Sequence, residues 1–312
     1  MKGYQLGLYE KAMPTELSWR EKLLCAGQAG FDYVEISIDE TDERLARLDW
    51  SVQERMRMNR LFEETGVPVR SMCLSGHRKY PLGSHDGNIR TKSLEIMDKS
   101  VHLAEDLGIR IIQLAGYDVY YENSDEDTRQ FFLENLYKVA EMAAAAGVVL
   151  GFETMETEFM NTVKKAMTYV SLVNSPYLNV YPDIGNVTNA AKTYGTDMRE
   201  DLSSGHGHLV AMHLKETVPG VFREVPFGTG HVDFAAAISK AWSLGVRRYV
   251  TEMWYTGSET WQQDIRSARQ MMAELLDGQT GGAQGELPKR CCHNWRKTTL
   301  WLRCTTRGRR IF

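Results

Sequence analysis

The sequence predicts a single α/β domain with the (β/α)8 barrel fold over residues 1–278, followed by an atypical basic tail over residues 279–312. The first observation is a recurring unit in which a helix-like segment ends at glycine and a short β-branched run follows. G108-I-R-I-I-Q-L and G147-V-V-L-G-F-E are two examples. Glycine favours the left-handed C-cap of a helix, and the β-branched run is typical of a buried strand. Recurrence at roughly 35–40 residues predicts alternating helices and parallel strands.

The second observation is the number of strands. Eight strand-like runs lie near residues 4–9, 33–38, 67–74, 110–114, 148–153, 178–182, 208–214 and 248–252. Helical periodicity lies between them, for example over residues 88–107, 125–146 and 259–276. Eight such units in about 275 residues favour a closed barrel. A doubly wound open sheet is the alternative, but it would require a glycine-rich phosphate-binding turn after the first strand, and the sequence has none there.

Composition excludes several classes of function. The chain has 312 residues, of which 43% are hydrophobic and 25% charged, as in ordinary globular proteins. Its net charge of −4 provides no basic field for nucleic acid, and no stretch approaches the ~20 apolar residues of a membrane span. The N-terminus lacks the apolar core and cleavage site of a signal peptide, which predicts a cytoplasmic protein.

The tail differs from the rest of the chain. It contains eight Lys and Arg residues against the single acid Glu286, together with three cysteines and His293. A zinc or nucleic-acid module is one interpretation. However, the pair Cys291-Cys292 and the lone Cys304 lack the spacing of zinc sites. A flexible appendage is therefore the favoured interpretation.

Polar side chains occur at the ends of four consecutive predicted strands. Glu153 ends the fifth strand, Asp183 follows the sixth, His213 lies in the seventh and Glu252 ends the eighth. The carboxyl ends of barrel strands form one face, and active sites lie there. The sequence therefore predicts that these four side chains meet.

Three carboxylates crowded beside an imidazole repel one another unless a cation offsets their charge. The oxygen-rich set suits one divalent metal ion, Mn²⁺, Mg²⁺, Co²⁺ or Zn²⁺, without deciding among them. The alternative is that each residue pairs separately with an arginine, a lysine or a backbone amide. The occurrence of all four at matching positions favours the metal site.

Two further residues are candidate substrate ligands on the same face. His77 follows the third strand in the loop S-G-H-R-K, where a solvated histidine is the alternative. Lys215 lies two residues after His213 and therefore shares its strand face.

The loop after the seventh strand is a candidate phosphate site. It contains Arg223, Gly228 and Gly230, and it leads into a helix that begins near Asp233. Helix N-termini beside strands 7 and 8 often bind phosphate in barrels. A capping turn without a ligand is the alternative.

The segment Y-P-D-I-G-N-V, residues 181–187, places Asp183 before a predicted turn at Gly185. Asn186 is a further candidate substrate ligand, because an amide can hydrogen-bond a substrate hydroxyl. An amide cannot titrate near pH 7, so proton transfer would fall to the two glutamates.

Several longer runs resemble a known family. They are G-L-Y-E-K-A, V-E-I-S-I-D-E-T-D-E-R-L-A-R-L-D-W-S, S-M-C-L-S-G-H-R-K-Y-P-L-G-S, I-Q-L-A-G-Y-D-V-Y-Y-E, Y-P-D-I-G-N-V and V-P-F-G-T-G-H-V-D-F. They closely resemble bacterial L-ribulose-5-phosphate 3-epimerases, xylose-isomerase-like TIM barrels of L-ascorbate and pentose catabolism. The resemblance covers about residues 3–275. It implies a sugar-phosphate substrate, a homodimer and metal ligation by Glu153, Asp183, His213 and Glu252, with the two glutamates as catalytic residues.

The implied reaction is inversion at C3 of a ketose phosphate through an enediolate, with one glutamate on each side of the substrate. Three alternatives use the same barrel. An aldose–ketose isomerase of the hexulose-6-phosphate type would act at C1 and C2. A metal phosphodiesterase would need more histidines and a basic groove, and a sugar-binding barrel would have no catalytic activity.

Overall fold

The computed structural model describes residues 2–281. Within this range no helix is long and apolar enough to cross a membrane. The last helix includes residues 279–281. The rest of the predicted basic tail, residues 282–312, lies outside the described residues, and so does the prediction made for it.

Eight β-strands alternate with helices along the chain. The strands are β1 (Gln5–Tyr9), β2 (Tyr33–Ile38), β3 (Val69–Leu74), β4 (Ile111–Ala115), β5 (Val149–Glu153), β6 (Leu178–Tyr181), β7 (Met212–Leu214) and β8 (Arg248–Thr251). The helices are α1 (Trp19–Ala29), α2 (Asp42–Leu45), α3 (Val52–Thr65), α4 (Gly87–Leu107), α5 (Glu126–Ala146), α6 (Val163–Val173), α7 (Ile184–Tyr194), α8 (Met198–Ser204), α9 (Phe234–Ser243) and α10 (Trp261–Gly281). Short 3₁₀ turns follow β1, β3 and β5, and another follows α2.

All the strand pairs are parallel, in the order β6-β5-β4-β3-β2-β1-β8-β7. The two ends of this sheet meet between β6 and β7. They are joined there by isolated bridges between Val180 and Leu209 and between Asp183 and His213. The backbone N–H of His213 donates to the Pro182 carbonyl over 2.9 Å. The predicted (β/α)8 barrel is therefore confirmed, with a closure between β6 and β7 made of bridges.

The seventh strand departs from its prediction. The sequence places it at residues 208–214, whereas the continuous strand covers only Met212–Leu214. The preceding residues follow β6 through single hydrogen bonds, such as that from the Val210 N–H to the Val180 carbonyl. Residues 208–214 have a composition typical of a strand, but composition does not show where the hydrogen bonds between neighbouring strands are interrupted.

Alternation along the strands separates the two faces of the barrel wall. In β2, Val34, Ile36 and Ile38 pack in the main core between the barrel and the helices. Tyr33 and Glu35 have the opposite parity, and so their side chains point into the barrel. Their environment is polar as well as apolar, since the Tyr33 hydroxyl donates to the Tyr249 carbonyl over 3.0 Å. The barrel interior is therefore filled with side chains, as in other barrels of this size.

The glycines that end the predicted helices have the expected conformation. Gly108 ends α4 and Gly147 ends α5, and their φ angles of 69° and 66° lie in the left-handed region. Each amide donates to carbonyls in the last turn of its helix. These C-caps turn the chain from each helix into the following strand, and thus they set the repeating unit seen in the sequence.

Candidate active site and metal centre

Four side chains converge at the carboxyl ends of β5 to β8. Glu153, Asp183, His213 and Glu252 each offer one ligand atom, and these atoms all lie within 4.8 Å of one another. All four residues are buried, with at most 5% of their surface exposed. The structure therefore brings together the four residues that the sequence predicted to meet.

The imidazole of His213 lies between carboxylates on two sides. Its Nδ1 is 2.9 Å from Glu252 Oε2 and 3.7 Å from Glu153 Oε1. Its Nε2 is 2.6 Å from an oxygen of Glu35, a carboxylate on the far side of the ring. Nδ1 thus faces the four-residue cluster, and Nε2 faces away from it.

Asp183 is fixed by the helix that follows it. It is the N-cap of α7, and its Oδ1 accepts the Asn186 backbone N–H over 2.8 Å. The predicted turn at Gly185 is wrong, because this residue lies in the first turn of α7. Glycine is required there for space, since a Cβ atom would lie 2.6 Å from Thr217 Cγ2 and 2.8 Å from the Lys215 carbonyl oxygen. The remaining oxygen of Asp183 is 2.6 Å from Lys215 Nζ.

Lys215 and Asn186, the two residues predicted to bind substrate beside the cluster, lie next to Asp183. Lys215 Nζ donates to Asn186 Oδ1 over 2.9 Å, and Asn186 Nδ2 donates to the Thr154 carbonyl over 2.7 Å. Both residues are almost fully buried and both line the cavity beside the cluster. Both polar groups of the Asn186 amide therefore have protein partners, which makes it a support for Lys215.

The electrostatics reflect crowding of like charges. Burial raises the pKa of Asp183, and the Glu252 carboxylate raises it further, while Lys215 opposes both. Burial would also raise the pKa of Glu252, but His213 and Lys215 outweigh it and hold that pKa below its ordinary value. The pKa of His213 is well above its usual range because the carboxylates of Glu252 and Glu35 outweigh its burial.

The donor set fits a divalent cation. Three carboxylates and one imidazole, buried and converging on one point, are ligand types that Mn²⁺, Co²⁺, Zn²⁺ and Mg²⁺ accept. Lys215 and the imidazole of His213, with its raised pKa, offset part of the charge of the three carboxylates, and a divalent cation in place of the His213 proton would relieve their remaining repulsion. These four residues could therefore hold a metal.

Two residues around His213 were not identified from the sequence. Glu35 of β2 is fully buried and contacts His213, and Gln113 of β4 places its Nε2 3.0 Å from His213 Nδ1. The available signal for Glu35 was a glutamate inside the otherwise strand-like run Y-V-E-I-S-I. A carboxylate in a buried strand requires a partner, and that requirement could have singled it out.

A cavity opens from the cluster towards solvent and carries basic residues. Its lining includes Lys11, Arg78, Arg223 and Trp254. Arg223 Nη2 is 3.1 Å from Glu156 Oε1, while Arg78 stacks over the Tyr120 ring with its guanidinium carbon 5.0 Å from the centroid. Arg78 Nε is buried and has no hydrogen-bond partner among residues 2–281. The cavity is therefore acidic at its base and basic at its rim.

The predicted substrate ligand His77 lies elsewhere. It belongs to the 3₁₀ turn after β3, but its ring is buried against α4 and its Nε2 donates to the Ser93 carbonyl over 3.2 Å. Burial lowers the pKa of His77 to about 4. Its neighbour Arg78 lines the cavity in its place. The correction follows from the 3₁₀ turn, which directs adjacent side chains to different sides.

In the predicted phosphate loop, the Glu216 side chain takes the backbone N–H groups that a phosphate would use. Glu216 Oε2 accepts the Gly228 N–H over 3.0 Å, and Glu216 Oε1 accepts the N–H groups of Thr217 and Val232 over 3.1 and 3.2 Å. A Cβ atom at Gly230 would overlap Glu216 Oε1. Gly228 and Gly230 therefore shape a loop closed around a carboxylate, and they do not form an open anion site.

Comparison with known proteins places this chain in a family. Residues 25–275 match the xylose isomerase-like TIM barrel family. The L-ribulose-5-phosphate 3-epimerase UlaE of Escherichia coli O139:H28 is 46% identical over 265 residues, which cover 85% of this chain and 92% of the relative. The chain belongs to the L-ribulose-5-phosphate 3-epimerase family. The relative with the same name from Salmonella heidelberg has the same identity and coverage.

Solved structures share the fold of this family at lower identity. A structure described as L-ribulose 3-epimerase has a TM-score of 0.73 and 19% identity, and it covers 90% of this chain and 97% of its own. D-psicose 3-epimerase from Clostridium cellulolyticum H10 has a TM-score of 0.75 and 16% identity, with 87% and 99% covered. At these identities the likeness concerns the barrel fold alone.

Proposed function

We propose that the protein is a divalent-metal-dependent sugar-phosphate 3-epimerase that interconverts L-ribulose 5-phosphate and L-xylulose 5-phosphate. The observation that carries this proposal is the placement of Glu153 and Glu252. They reach one cavity from β5 and β8, which are separated by β6 and β7, and both belong to the four-residue cluster. The 46% identity to L-ribulose-5-phosphate 3-epimerases supports the choice of substrate.

The cluster would hold one divalent metal ion through Glu153, Asp183, His213 and Glu252. Mn²⁺, Mg²⁺, Co²⁺ and Zn²⁺ all suit this set. When bound, such an ion supplies a Lewis acid that polarises a substrate carbonyl oxygen. Asp183 is held in place for this role by the N-terminus of α7 and by Lys215.

Inversion at C3 needs two groups that exchange a proton with the carbon from opposite sides. One of the two glutamates takes the C3 proton, and the C–H bonding electrons move towards the C2 carbonyl oxygen to give an enediolate. The other glutamate then delivers a proton to the opposite face of C3. The two residues exchange roles when the reaction runs in reverse.

The rim of the cavity supports binding of the phosphate end of the substrate. Arg78 and Arg223 face the cavity, and Arg78 Nε has no partner among the described residues. A guanidinium binds phosphate through paired N–H groups, so this pair is suited to an anion. Glu216 already fills the loop beside β7 and β8. We therefore place the phosphate near the two arginines, and Lys215 near the reacting carbons.

The test is epimerisation of L-ribulose 5-phosphate in D₂O, followed by NMR. The protein is stripped of metal and then restored with Mn²⁺. We expect L-xylulose 5-phosphate labelled with deuterium at C3, formed only after metal is restored. Glu153→Gln and Glu252→Gln should each lower kcat by about 10²–10⁴-fold, because each removes one proton-transfer group.

Glu158→Gln is the matched control, because this glutamate is exposed in the 3₁₀ turn that follows β5. Its activity should equal that of the wild type. Label at C1 with an aldose product would identify an aldose–ketose isomerase. No epimerised or isomerised product from the metal-restored wild type, with sugar binding intact in both glutamine variants, would leave only a sugar-binding role.

The assembly and location of the enzyme follow from the same proposal. We place it in the cytoplasm, where phosphorylated sugars are metabolised, and we propose a homodimer from its resemblance to the family. Sedimentation equilibrium of the full chain would distinguish a dimer from a monomer.

A further inference from the structure

The side of His213 that faces away from the cluster also has a buried, fully hydrogen-bonded partner. His213 Nε2 is 2.6 Å from Glu35 Oε1, and both side chains are fully buried. The other oxygen of Glu35 accepts the Ser71 hydroxyl over 2.6 Å and the Tyr181 hydroxyl over 2.9 Å. Strands β2, β3, β6 and β7 all contribute to this arrangement, so the Glu35 carboxylate has little freedom to move.

This arrangement divides the roles of the two ring nitrogens. A neutral imidazole donates from one nitrogen and presents a lone pair on the other. A carboxylate oxygen only accepts, so the contact with Glu35 requires the proton to be on Nε2. In the neutral form that a metal requires, the lone pair is then on Nδ1, which faces Glu153 and Glu252.

We propose that Glu35 is a positioning residue for the metal centre, which fixes the tautomer and the orientation of His213 so that Nδ1 binds the cation. This inference rests on the proposed metal site and adds a residue outside the four ligands. Carboxylates that accept from a ligating histidine typically change metal affinity by about 10–100-fold when they are removed. A buried carboxylate with a purely structural role would change stability and leave metal affinity as it was.

The test measures metal binding and needs no substrate. Mn²⁺ is titrated into the metal-free full chain, and free Mn²⁺ is followed by electron paramagnetic resonance. We expect Glu35→Gln to weaken the Kd by about 10–100-fold, because a neutral amide oxygen accepts the Nε2 proton less strongly than a carboxylate, and the amide NH₂ can donate to that nitrogen instead. The same variant loaded with Co²⁺ should show a changed visible absorption spectrum.

Asp118→Asn is the matched control. Asp118, on the loop after β4, is also buried, and it accepts from Ser124 on the same loop and from Thr128 in the first turn of α5. This variant should lose stability while its Kd for Mn²⁺ stays within about twofold of the wild type. A Glu35→Gln protein that folds and binds Mn²⁺ with the wild-type Kd would overturn the proposal.

Tyr181→Phe keeps the inference testable if Glu35→Gln does not fold. It removes one donor to Glu35 and leaves the carboxylate in place. A weaker Kd for Mn²⁺ would support the proposal, and an unchanged Kd would overturn it. Failure of the wild-type chain to bind Mn²⁺ would instead contradict the proposed function itself, so the two failures are distinguishable.

Discussion

At the residue scale, His77 shows how burial sets a charge state. Its ring is enclosed between the turn after β3 and α4, and the one polar contact of the ring within residues 2–281 is the Ser93 carbonyl. The imidazolium form loses its hydration there, and so the pKa falls to about 4. In the unfolded chain the pKa is close to 6.5. Between these values the unfolded state binds the proton and the folded state does not, so stability falls as the pH falls from 6.5 to 4.

We predict that His77→Gln makes the free energy of unfolding less dependent on pH between pH 7 and pH 5. The wild type should lose about 2 kcal/mol more than this variant between pH 7 and pH 5, since only the wild type can take up this proton on unfolding. Urea unfolding of the metal-free proteins at the two pH values gives the comparison. Equal losses in both proteins would contradict the assigned charge state.

His85 provides a control of opposite sign. It is exposed, and the neighbouring carboxylates of Asp125 and Glu122 raise its pKa. A raised folded-state pKa adds stability at low pH that is lost as the pH rises through it. His85→Gln should therefore cost more stability at pH 5 than at pH 7.

The residues of the candidate site also differ in how far their positions could be predicted from the sequence. The four cluster residues could be predicted because each lies at a strand end, where barrel geometry alone fixes the side on which it appears. Glu35 could be singled out only as a strand carboxylate that needs a partner, because the partner itself, His213, is 178 residues away and only the assembled barrel brings it into contact. His77 and Arg78 are adjacent in sequence, and only the 3₁₀ turn decides which one faces the cavity.

At the element scale, the loop between β7 and α9, residues 215–233, is organised by one side chain. Glu216 accepts backbone N–H groups from both ends of the loop. Hydrogen bonds to a charged acceptor are stronger than neutral ones, and here they replace solvent around a buried carboxylate. The loop is therefore held in a single shape, with Arg223 on it beside the cavity.

We predict that Gly230→Ala loosens this loop. The added methyl group would overlap the Thr217 carbonyl oxygen and Glu216 Oε1, so the backbone must shift at a cost of about 1–3 kcal/mol. Trypsin cleavage after Arg223 should become about tenfold faster or more. Val221→Ala, at an exposed position of the same loop, is the control and should be cleaved at the wild-type rate. Equal cleavage of both variants would show that Glu216 does not hold the loop.

The segment Y-P-D-I-G-N-V shows a limit at the same scale. The aspartate was correctly placed, but a glycine two residues later favours a turn in any reading of local composition. The structure forms a helix there, and glycine is required in it because Lys215 and Thr217 pass close behind and leave no room for a side chain. That constraint comes from tertiary packing, which local sequence does not encode.

At the scale of the whole molecule, the barrel was predictable because every unit repeats the same physical pattern. Seven strands agree with their predicted positions to within two residues at either end, and the helix-ending glycines account for the regular spacing. The seventh strand is the exception. The interruption before Met212 depends on how the barrel closes between β6 and β7, and only the assembled barrel determines that closure.

We predict that the described part of the chain is sufficient for metal binding. The family match ends at residue 275, and α10 already buries Ile265, Met272 and Leu276 in the core. Removal of residues 282–312 should leave the Kd for Mn²⁺ within about twofold of the full-length value. Calorimetric titration of both proteins provides the measurement. Loss of metal binding on truncation would contradict this prediction and show that the basic tail contributes to the metal site.

The closure between β6 and β7 couples the chemistry of the site to the fold. Asp183 and His213 face each other across this closure in a backbone bridge, and their side chains are two of the four candidate ligands. An ion bound to both would also connect the first and last strands of the sheet order. Any opening of the ring at this point would then have to release the ion. By thermodynamic linkage, the free energy of ion binding becomes part of the work of opening the barrel.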